Sequence, residues 1–243
     1  MAVGMRVWYD LGLPPKKPYG LLRTVQVVNV DNRIAVAGAE SQTYFCDAAP
    51  EVGEGYCGPT VPREYDTIED IFGDPFTLTS SVACGFAGDV RDEESRTALD
   101  YKESHGVEQH LGALMDEMGA GLPSGSPAEV VAGLETWLGD NYAGQGLIHV
   151  NVGTATLLFS DAAIEKNGSS VTTVAGTPVV IGSGYTPGTV YASGRVVILR
   201  SPLREMSSPV GVDCGGADNS ARATAERTYV PLVECGAEWA VLA

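Results

Sequence analysis

Basic residues are scarce in this chain. Its 243 residues include 15 Lys and Arg against 31 Asp and Glu, which gives a formal net charge of −16. A surface of that sign repels phosphate backbones, which argues against a general nucleic-acid-binding protein. Lys16-Lys17 is the only pair of adjacent basic residues, and we expect both side chains to be solvated.

Long hydrophobic runs are also missing. No apolar stretch approaches the roughly 18 residues needed to cross a membrane, and residues 1–8 lack the continuous apolar core of a secretion signal. Asn167-Gly168-Ser169 matches the glycosylation sequon, but the pattern has no meaning without such a signal. We therefore expect a protein that is made and kept in a cytoplasm and has no membrane partner.

Cysteine motifs are absent, although the chain has five cysteines: Cys46, Cys57, Cys84, Cys214 and Cys235. None lies in a Cys-x-x-Cys pair, and no histidine stands at metal-ligand spacing from them. Cys46 and Cys57 bracket an acidic, glycine-rich loop, which a disulfide between them would close. The alternative is reduced, buried thiols, which a cytosolic redox environment favours. The odd number of cysteines also argues against a secreted disulfide framework.

No combination of residues has the pattern of an active site. His105 and His110 are five residues apart on a predicted helix, so they do not share a face as an i,i+4 ligand pair would. His149 lies in the apolar run Leu147–Val150, where we expect a hydrogen-bonded core histidine and keep a catalytic base as the alternative. No Ser or Cys nucleophile motif accompanies it. We predict no catalytic, cofactor-binding or metal-binding residues and no cofactor.

Two patterns give weak signals of ligand binding. Asp89, Asp92, Glu93 and Glu94 could chemically bind a divalent cation, but they match no calcium-loop spacing and are typical of a solvated helix start. Gly182-Ser183-Gly184 opens a turn and not a helix, so it is not predicted to be a phosphate-binding loop.

The strongest helix signal lies in the middle of the chain. Asp92 and the acids after it complement the helix dipole, and apolar residues recur at near-helical spacing, which predicts a helix about 40 Å long over residues 92–118. Leu111 and Leu114 are expected to face the subunit's own sheet. The other face is expected to be solvated or to meet a polar partner. It carries Arg96, Asp100, Lys102, Glu103 and Glu108.

A second helix is predicted to begin at Ser126. Pro127 suits the first helical position, and Glu129 completes a capping box with Ser126.

Alternating and Val-rich segments predict strands on both sides of these helices. Leu21–Val30 and the shorter β-like pieces of Ile34–Cys46 are expected to form a hairpin around the turn at residues 31–33, with a polar excursion to about residue 74. Further strands are predicted at residues 76–86, 146–150, 171–181 and 190–199, and a pair that closes a sheet at 227–234 and 239–242, with a helical turn at 154–159.

Three segments, taken in order, resemble a known architecture. Pro75-Phe76-Thr77-Leu78 before an acid-capped helix with Glu103 and Val107-Glu108 is similar to the segment that enters the spine helix of tailed-phage major capsid proteins and encapsulin shells. These proteins share the Hong Kong 97-type fold. Gly146–Val150 with Gly176–Ile181 resembles the strands of that fold's axial domain. Ala225–Leu242 resembles its returning peripheral-domain strands.

The resemblance implies an α+β chain of the Hong Kong 97-like capsid fold. It implies the following division: an N-terminal arm at 1–20, an extended loop or hairpin region at 21–86, a spine helix with peripheral domain at 87–126, an axial domain at 127–200, and returning peripheral strands at 201–243. The implied function is that of a major capsid protein, a structural subunit that is not an enzyme. It would assemble with itself, through pentamers and hexamers, into an icosahedral shell around the phage genome.

The resemblance also implies partners and a location. The long N-terminal scaffolding region of many relatives is absent, so a scaffolding protein is expected to be a separate chain, as are portal and decoration proteins. Contact with packaged DNA is expected to be indirect. No Lys/Asn cross-linking pair can be assigned. The expected location is the virion capsid, after assembly in the host cytoplasm.

Three alternatives remain open at this point. An encapsulin-like compartment shell would have the same fold. An accessory virion protein, such as a decoration or connector subunit, is usually smaller or more helical. A small-molecule enzyme using His149 would need a cleft with a partner acid beside that histidine.

Overall fold

The computed structural model describes residues 13–31, 33–43, 45–46, 69–85, 92–208 and 220–243. Within these ranges the helices are α1 Leu21–Thr24, α2 Ile34–Ala37, α3 Asp92–Met118, α4 Pro127–Asn141 and α5 Val152–Ser160. The strands are β1 Gln26–Asn29, β2 Ala39–Thr43, β3 Glu69–Gly73, β4 Phe76–Gly85, β5 Leu147–Asn151, β6 Ile164–Asn167, β7 Ser170–Thr173, β8 Val179–Gly182, β9 Thr189–Ser193, β10 Val196–Arg200, β11 Arg204–Ser208, β12 Ser220–Val233 and β13 Ala237–Val241.

The larger sheet is built around β12. Along one edge, β12 pairs antiparallel with β10 and then with β11, and β1 adds to β10 in parallel. Along its other edge β12 pairs antiparallel with β4, from Tyr229↔Phe76 to Ser220↔Gly85. One 14-residue strand therefore pairs with β4, β10 and β11, and β1 joins the sheet through β10.

The smaller sheet has the strand order β13-β9-β5-β8. β5 and β8 run in parallel, whereas β9 is antiparallel to both β5 and β13. The helices α4 and α5 contribute Leu134 and Leu158, which are completely buried against Ile148 and Val150 of β5. Burial of such side chains stabilises this lobe by roughly 1.5–3 kcal/mol each.

Helix α3 packs its apolar face against both sheets. Val107, Leu111 and Met115 are completely buried in a cluster that includes Tyr191 of the smaller sheet and Tyr229 of the larger one. The predicted helix over 92–118 is confirmed, as is the inward orientation of Leu111. Leu114, the second predicted contact, is partly buried against the same cluster.

The predicted start of α4 is also confirmed. Ser126 has extended backbone angles and accepts a hydrogen bond from the N–H of Glu129, and the Glu129 carboxylate accepts one from the N–H of Ser126. Pro127 occupies the first turn, where its missing N–H leaves no helical hydrogen bond unmade. These capping signals lie within a few residues of each other, so the helix start could be predicted from the sequence alone.

The predicted strand Leu21–Val30 is confirmed in part, and its hairpin is wrong. Leu21–Thr24 is a helical turn, and only Gln26–Asn29 is a strand; it pairs with β10 and not with the next segment. Ile34–Ala37 is likewise helical. The hairpin forms instead between β2 and β3, whose register runs from Ala39↔Gly73 to Thr43↔Glu69. Most of the predicted polar excursion between them lies outside the described residues.

The predicted closing strand pair is wrong as well. β12 and β13 are consecutive but lie in different sheets, because the turn at Glu234–Gly236 carries the chain from the larger sheet to the smaller one. The predicted single strand at 190–199 divides in the same way, into β9 and β10 on either side of Gly194. The predicted strand at 171–181 is two strands, β7 and β8.

The expectation for the cysteines is corrected too. Cys46 forms a disulfide with Cys235, 189 residues later, with 4.9 Å between the two Cα atoms. Cys46 is therefore neither a reduced thiol nor the partner of Cys57, which lies outside the described residues. Sequence spacing favoured the nearer cysteine, whereas the fold brings the distant one into bonding range.

Candidate assembly site

The carboxylate of Glu108 joins three separate parts of the chain. Its Oε1 atom accepts hydrogen bonds from the backbone N–H of Leu21 at 3.0 Å and from the Ser104 hydroxyl at 2.8 Å. Its Oε2 atom accepts from the backbone N–H groups of Ser183 at 2.8 Å and Gly184 at 2.9 Å. The side chain is 1 % exposed, and four donors offset the cost of burying its charge. The junction holds α1 and the loop after β8 against α3.

Glycine allows the loop after β8 to approach this carboxylate. A Cβ atom on Gly184 would lie 2.1 Å from the carbonyl oxygen of His105, and one on Gly182 would lie 2.6 Å from Cδ of Glu108. The Gly-Ser-Gly turn therefore does present backbone N–H groups to an anion. That anion is the protein's own Glu108 carboxylate.

A second acidic side chain, Glu103, connects α3 to the larger sheet. Its Oε2 atom accepts hydrogen bonds from Nη1 of Arg227 at 2.7 Å and from the Tyr229 hydroxyl at 2.6 Å. Burial, together with the hydrogen bond to Glu103, raises the pKa of Tyr229, so its hydroxyl stays protonated and donates. Glu103 and Glu108 thus both meet polar partners, which confirms that alternative for these two residues.

The described part of the N-terminal segment lies along α3 of its own subunit. Lys16 is 3.7 Å from a carboxylate oxygen of Asp100, and Lys17 donates a hydrogen bond to the Ser183 hydroxyl at 3.0 Å. The Tyr101 hydroxyl donates to the Pro14 carbonyl. The two lysines, expected to be solvated, therefore have partners. Residues 14–17 form one wall of an open cleft of about 410 Å³ beside α3.

His149 is a core residue with a hydrogen bond on each ring nitrogen. Nδ1 lies 3.0 Å from the Tyr185 hydroxyl and Nε2 lies 2.8 Å from the Ser193 hydroxyl, and the ring is completely buried. Burial lowers the pKa of His149 to about 3, so the imidazole is neutral in physiological buffers. The predicted role as a hydrogen-bonded core histidine is confirmed. Neither hydrogen-bond partner is an acid of the kind that a catalytic base would need.

The other two histidines lie in different surroundings. His110 stacks on Phe76 with 3.8 Å between ring centres, and burial lowers its pKa. His105 is exposed and its Nδ1 atom lies 3.2 Å from the Ser183 hydroxyl. The predicted absence of a shared face is consistent with these separate contacts.

The acidic start of α3 forms no metal site in the described residues. No group of three or more His, Cys, Asp or Glu side chains there is arranged to hold an ion. Asp92, Glu93 and Glu94 occupy the first helical positions, and Asp89 lies outside the described ranges. Over those same ranges, none of the helices combines the length and apolar character that a membrane span requires.

No protein-family model and no curated protein matches this sequence. Solved structures match it along nearly its whole length. The capsid of a native GTA particle matches with a TM-score of 0.60 and 14 % identity, over 99 % of this chain and 95 % of that one. A structure from Mycobacterium phage Che8 matches with a TM-score of 0.56 and 13 % identity, over 98 % and 97 %. The capsid structure of Cyanophage P-SCSP1u gives 0.55 and 10 %, over 99 % and 93 %.

The chain has the fold of phage capsid proteins. This confirms the predicted α+β fold of the Hong Kong 97-like class. The agreement extends over 98–99 % of this chain.

Among the described residues, three strands of the larger sheet have one edge that forms no ladder. In the part of the chain that the structure describes, β4 and β11 form ladders only with β12, and β1 only with β10. The second edge of each strand therefore carries backbone groups that other chains can pair with or cover.

Several apolar side chains of the capsid fold are exposed. Phe72 of β3 is 67 % exposed and lies on the same face of the β2–β3 hairpin as its cross-strand neighbour Glu40. Val174, after β7, is 76 % exposed, and Leu157 of α5 is 52 % exposed. Phe72 is thus a single large aromatic ring on an otherwise polar hairpin face.

Sequence reasoning missed the junction at Glu108 and the Cys46–Cys235 disulfide. For Glu108 a signal did exist, since the Gly-Ser-Gly turn after a strand can supply free N–H donors. The sequence alone does not distinguish a phosphate from an internal carboxylate as the anion that such donors bind. For the disulfide, five cysteines allow many pairings, and no local feature distinguishes them.

Proposed function

We propose that this chain is the major capsid protein of a tailed bacteriophage, a structural subunit of an icosahedral shell that encloses the phage genome. The observation that carries the proposal is the end-to-end match of the fold to capsid chains from the GTA particle and the cyanophage. The matches name phages and particles of that kind, which favours a phage capsid over an encapsulin-like compartment or an accessory virion protein.

The surface of the subunit supports self-assembly. Among the described residues, β1, β4 and β11 each keep one edge without a ladder, and such edges are where further copies of the chain can pair. The exposed ring of Phe72 would be covered by such a copy. Closed symmetry around fivefold and sixfold axes would cover them with further copies of the same chain. Pentamers and hexamers are therefore the expected intermediates.

In the proposed capsid protein, each region of the chain has a structural role. Residues 1–20 form the arm, 21–86 the extended loop, 87–126 the spine helix with the peripheral domain, 127–200 the axial domain, and 201–243 the returning strands. β13, within the last region, reaches across to the sheet of the axial domain through its ladder with β9. The return therefore ties the two domains together.

The proposed role is structural and not enzymatic. His149, the one catalytic candidate, has its two ring nitrogens engaged by Tyr185 and Ser193 in the core. The net charge of −16 disfavours direct binding of packaged DNA. Scaffolding, portal and decoration proteins are proposed as separate partners, with assembly in the host cytoplasm and the virion capsid as the final location.

Negative-stain microscopy and sedimentation velocity of the purified full chain test the proposal. We expect closed shells or capsomers, with a buried area between subunits above the roughly 1,600 Å² of a standard interface. A monodisperse 25.4 kDa species at high concentration, with and without crowding agents, would overturn it.

A further inference from the structure

The Cys46–Cys235 disulfide joins two segments with different surroundings. Cys235 lies in the short turn between β12 and β13, at a backbone φ of 57°. Cys46 follows β2 by three residues, at the start of the segment that leads back to β3. Both residues are partly exposed.

The Cys235 end is held by the fold around it. The buried carboxylate of the preceding residue, Glu234, accepts hydrogen bonds from the Tyr142 hydroxyl and from Nη2 of Arg195, both at 2.7 Å. The Glu234 N–H donates to the Arg195 carbonyl at 3.0 Å. Burial, and then the bond to Glu234, raise the pKa of Tyr142 to about 12, so its hydroxyl remains a donor. The turn therefore keeps its position whether or not the disulfide is present.

The Cys46 end follows β2, whose hairpin with β3 also packs against β12. β2 forms its ladder with β3 alone among the described strands. Next to the disulfide, the Phe45 carbonyl accepts a hydrogen bond from the Ala143 N–H at 2.9 Å, between α4 and β5. That bond lies within one residue of the sulfur bridge, so it reports whether this end of the hairpin is docked.

We propose that Cys46 and Cys235 form a redox-controlled latch that docks the hairpin segment onto the turn between β12 and β13. The reduced subunit leaves this end of the hairpin free to adjust, and oxidation fixes it. The inference rests on the proposed function in one respect: a chain made in a reducing cytoplasm and later carried in a released particle meets both conditions.

The chemistry is a thiol–disulfide exchange with a small disulfide such as oxidised glutathione. One cysteine thiolate attacks a sulfur of that disulfide, forms a mixed disulfide and expels one glutathione thiolate. The second cysteine thiolate then attacks the protein sulfur of the mixed disulfide and expels the other. The two protons released by the cysteines are taken up by the two glutathione thiolates, so the protein pair is oxidised by two electrons and glutathione disulfide is reduced by two.

Hydrogen exchange at the Ala143 amide, together with peptide mapping, tests the latch. The full chain is equilibrated in glutathione buffers from reducing to oxidising and then analysed as unassembled subunits. We expect non-reduced peptides that contain Cys46 joined to Cys235, and exchange at Ala143 that is at least about tenfold slower in the oxidised sample. Cys46→Ser and Cys235→Ser should exchange at the fast rate in every buffer.

Cys84→Ser is the matched control, because it removes a thiol from β4 and leaves both latch cysteines in place. It should show the same difference between buffers as the unaltered chain. Cys46 joined to Cys57, or an Ala143 exchange rate that does not follow the redox buffer, would overturn the latch. Hydrogen exchange and peptide mapping are carried out on unassembled subunits. Failure to form shells would therefore count against the proposed function and not against the latch.

Discussion

Glu108 and Leu21 are 87 positions apart in the chain, yet a carboxylate oxygen of Glu108 accepts the first backbone N–H of α1 at 3.0 Å. A helix of four residues has too few internal hydrogen bonds to be stable alone. Here the start of that helix is capped by a side chain from α3. The same carboxylate also holds the turn after β8, so one buried charge sets the relative position of three segments.

Replacing Glu108 with Gln should destabilise the subunit strongly. The amide keeps one acceptor oxygen but turns an N–H₂ group toward backbone donors, so we expect a loss of roughly 2–4 kcal/mol in the free energy of unfolding. Urea denaturation of unassembled subunits measures it. Glu117→Gln, an exposed position on the same helix, should change stability by less than about 0.5 kcal/mol. Equal effects of the two variants would contradict the described junction.

Truncating Leu111 should destabilise the subunit, because its side chain is buried in the core beneath α3. Leu111→Ala leaves a cavity between α3 and the sheets, so we expect a loss of about 2–5 kcal/mol in the free energy of unfolding. Leu157→Ala makes the same chemical change at a half-exposed position of α5 and should cost far less. Thermal melts of both variants as unassembled subunits give the comparison. An unchanged melt for Leu111→Ala would mean that this face is solvated.

The burial of His149 predicts that the free energy of unfolding falls as the pH is lowered. Because burial lowers its folded-state pKa to about 3 from an ordinary 6.5, the unfolded chain binds a proton that the folded chain does not. The stabilisation is therefore complete above pH 6.5 and is lost as the pH falls toward 3, with a limiting slope of about 1.4 kcal/mol per pH unit from this residue.

Denaturation midpoints between pH 7 and 4 test that slope. His149→Gln should remove its contribution, and His105→Gln, at an exposed position, should retain it. If the pH dependence is the same with and without His149, the residue is not a buried neutral histidine.

Phe72 should matter for assembly and not for folding. Its ring is mostly exposed in the single subunit, so Phe72→Ser should leave the melting temperature nearly unchanged while lowering the yield of shells. Phe72→Leu keeps an apolar side chain and should restore much of that yield. Particle counts and thermal melts on the same samples separate the two effects. Normal shell numbers from Phe72→Ser would exclude the hairpin face as a contact.

The parts of the fold that could be predicted are those with local signals. The acidic start of α3 and the capping box at Ser126 and Glu129 act within a few residues, so the sequence reveals them directly. The segment at Leu21–Thr24 could not be assigned, because its short Val- and Leu-rich pattern suits a strand equally well. Its helical form depends on the distant Glu108 carboxylate.

Strand partners were the least predictable feature. β1 pairs with β10, about 170 residues later, and β13 leaves β12 for the other sheet. Alternation of apolar residues shows that a strand exists but not which edge it joins. The candidate site also combines features with local sequence signals and features that depend on distant partners. The buried role of His149 followed from its apolar neighbours, whereas the disulfide to Cys235 required the folded chain.

The position of β12 in the chain has a consequence for synthesis. This strand begins at residue 220, after every strand that it pairs with, so β4 has emerged from the ribosome long before, and β10 shortly before, the element that joins them. A chain halted before residue 220 lacks the centre of its larger sheet, however complete the rest is. Sheets with such distant partners fold late and slowly. Translation errors that end the chain before residue 220 would thus yield chains that cannot complete the larger sheet.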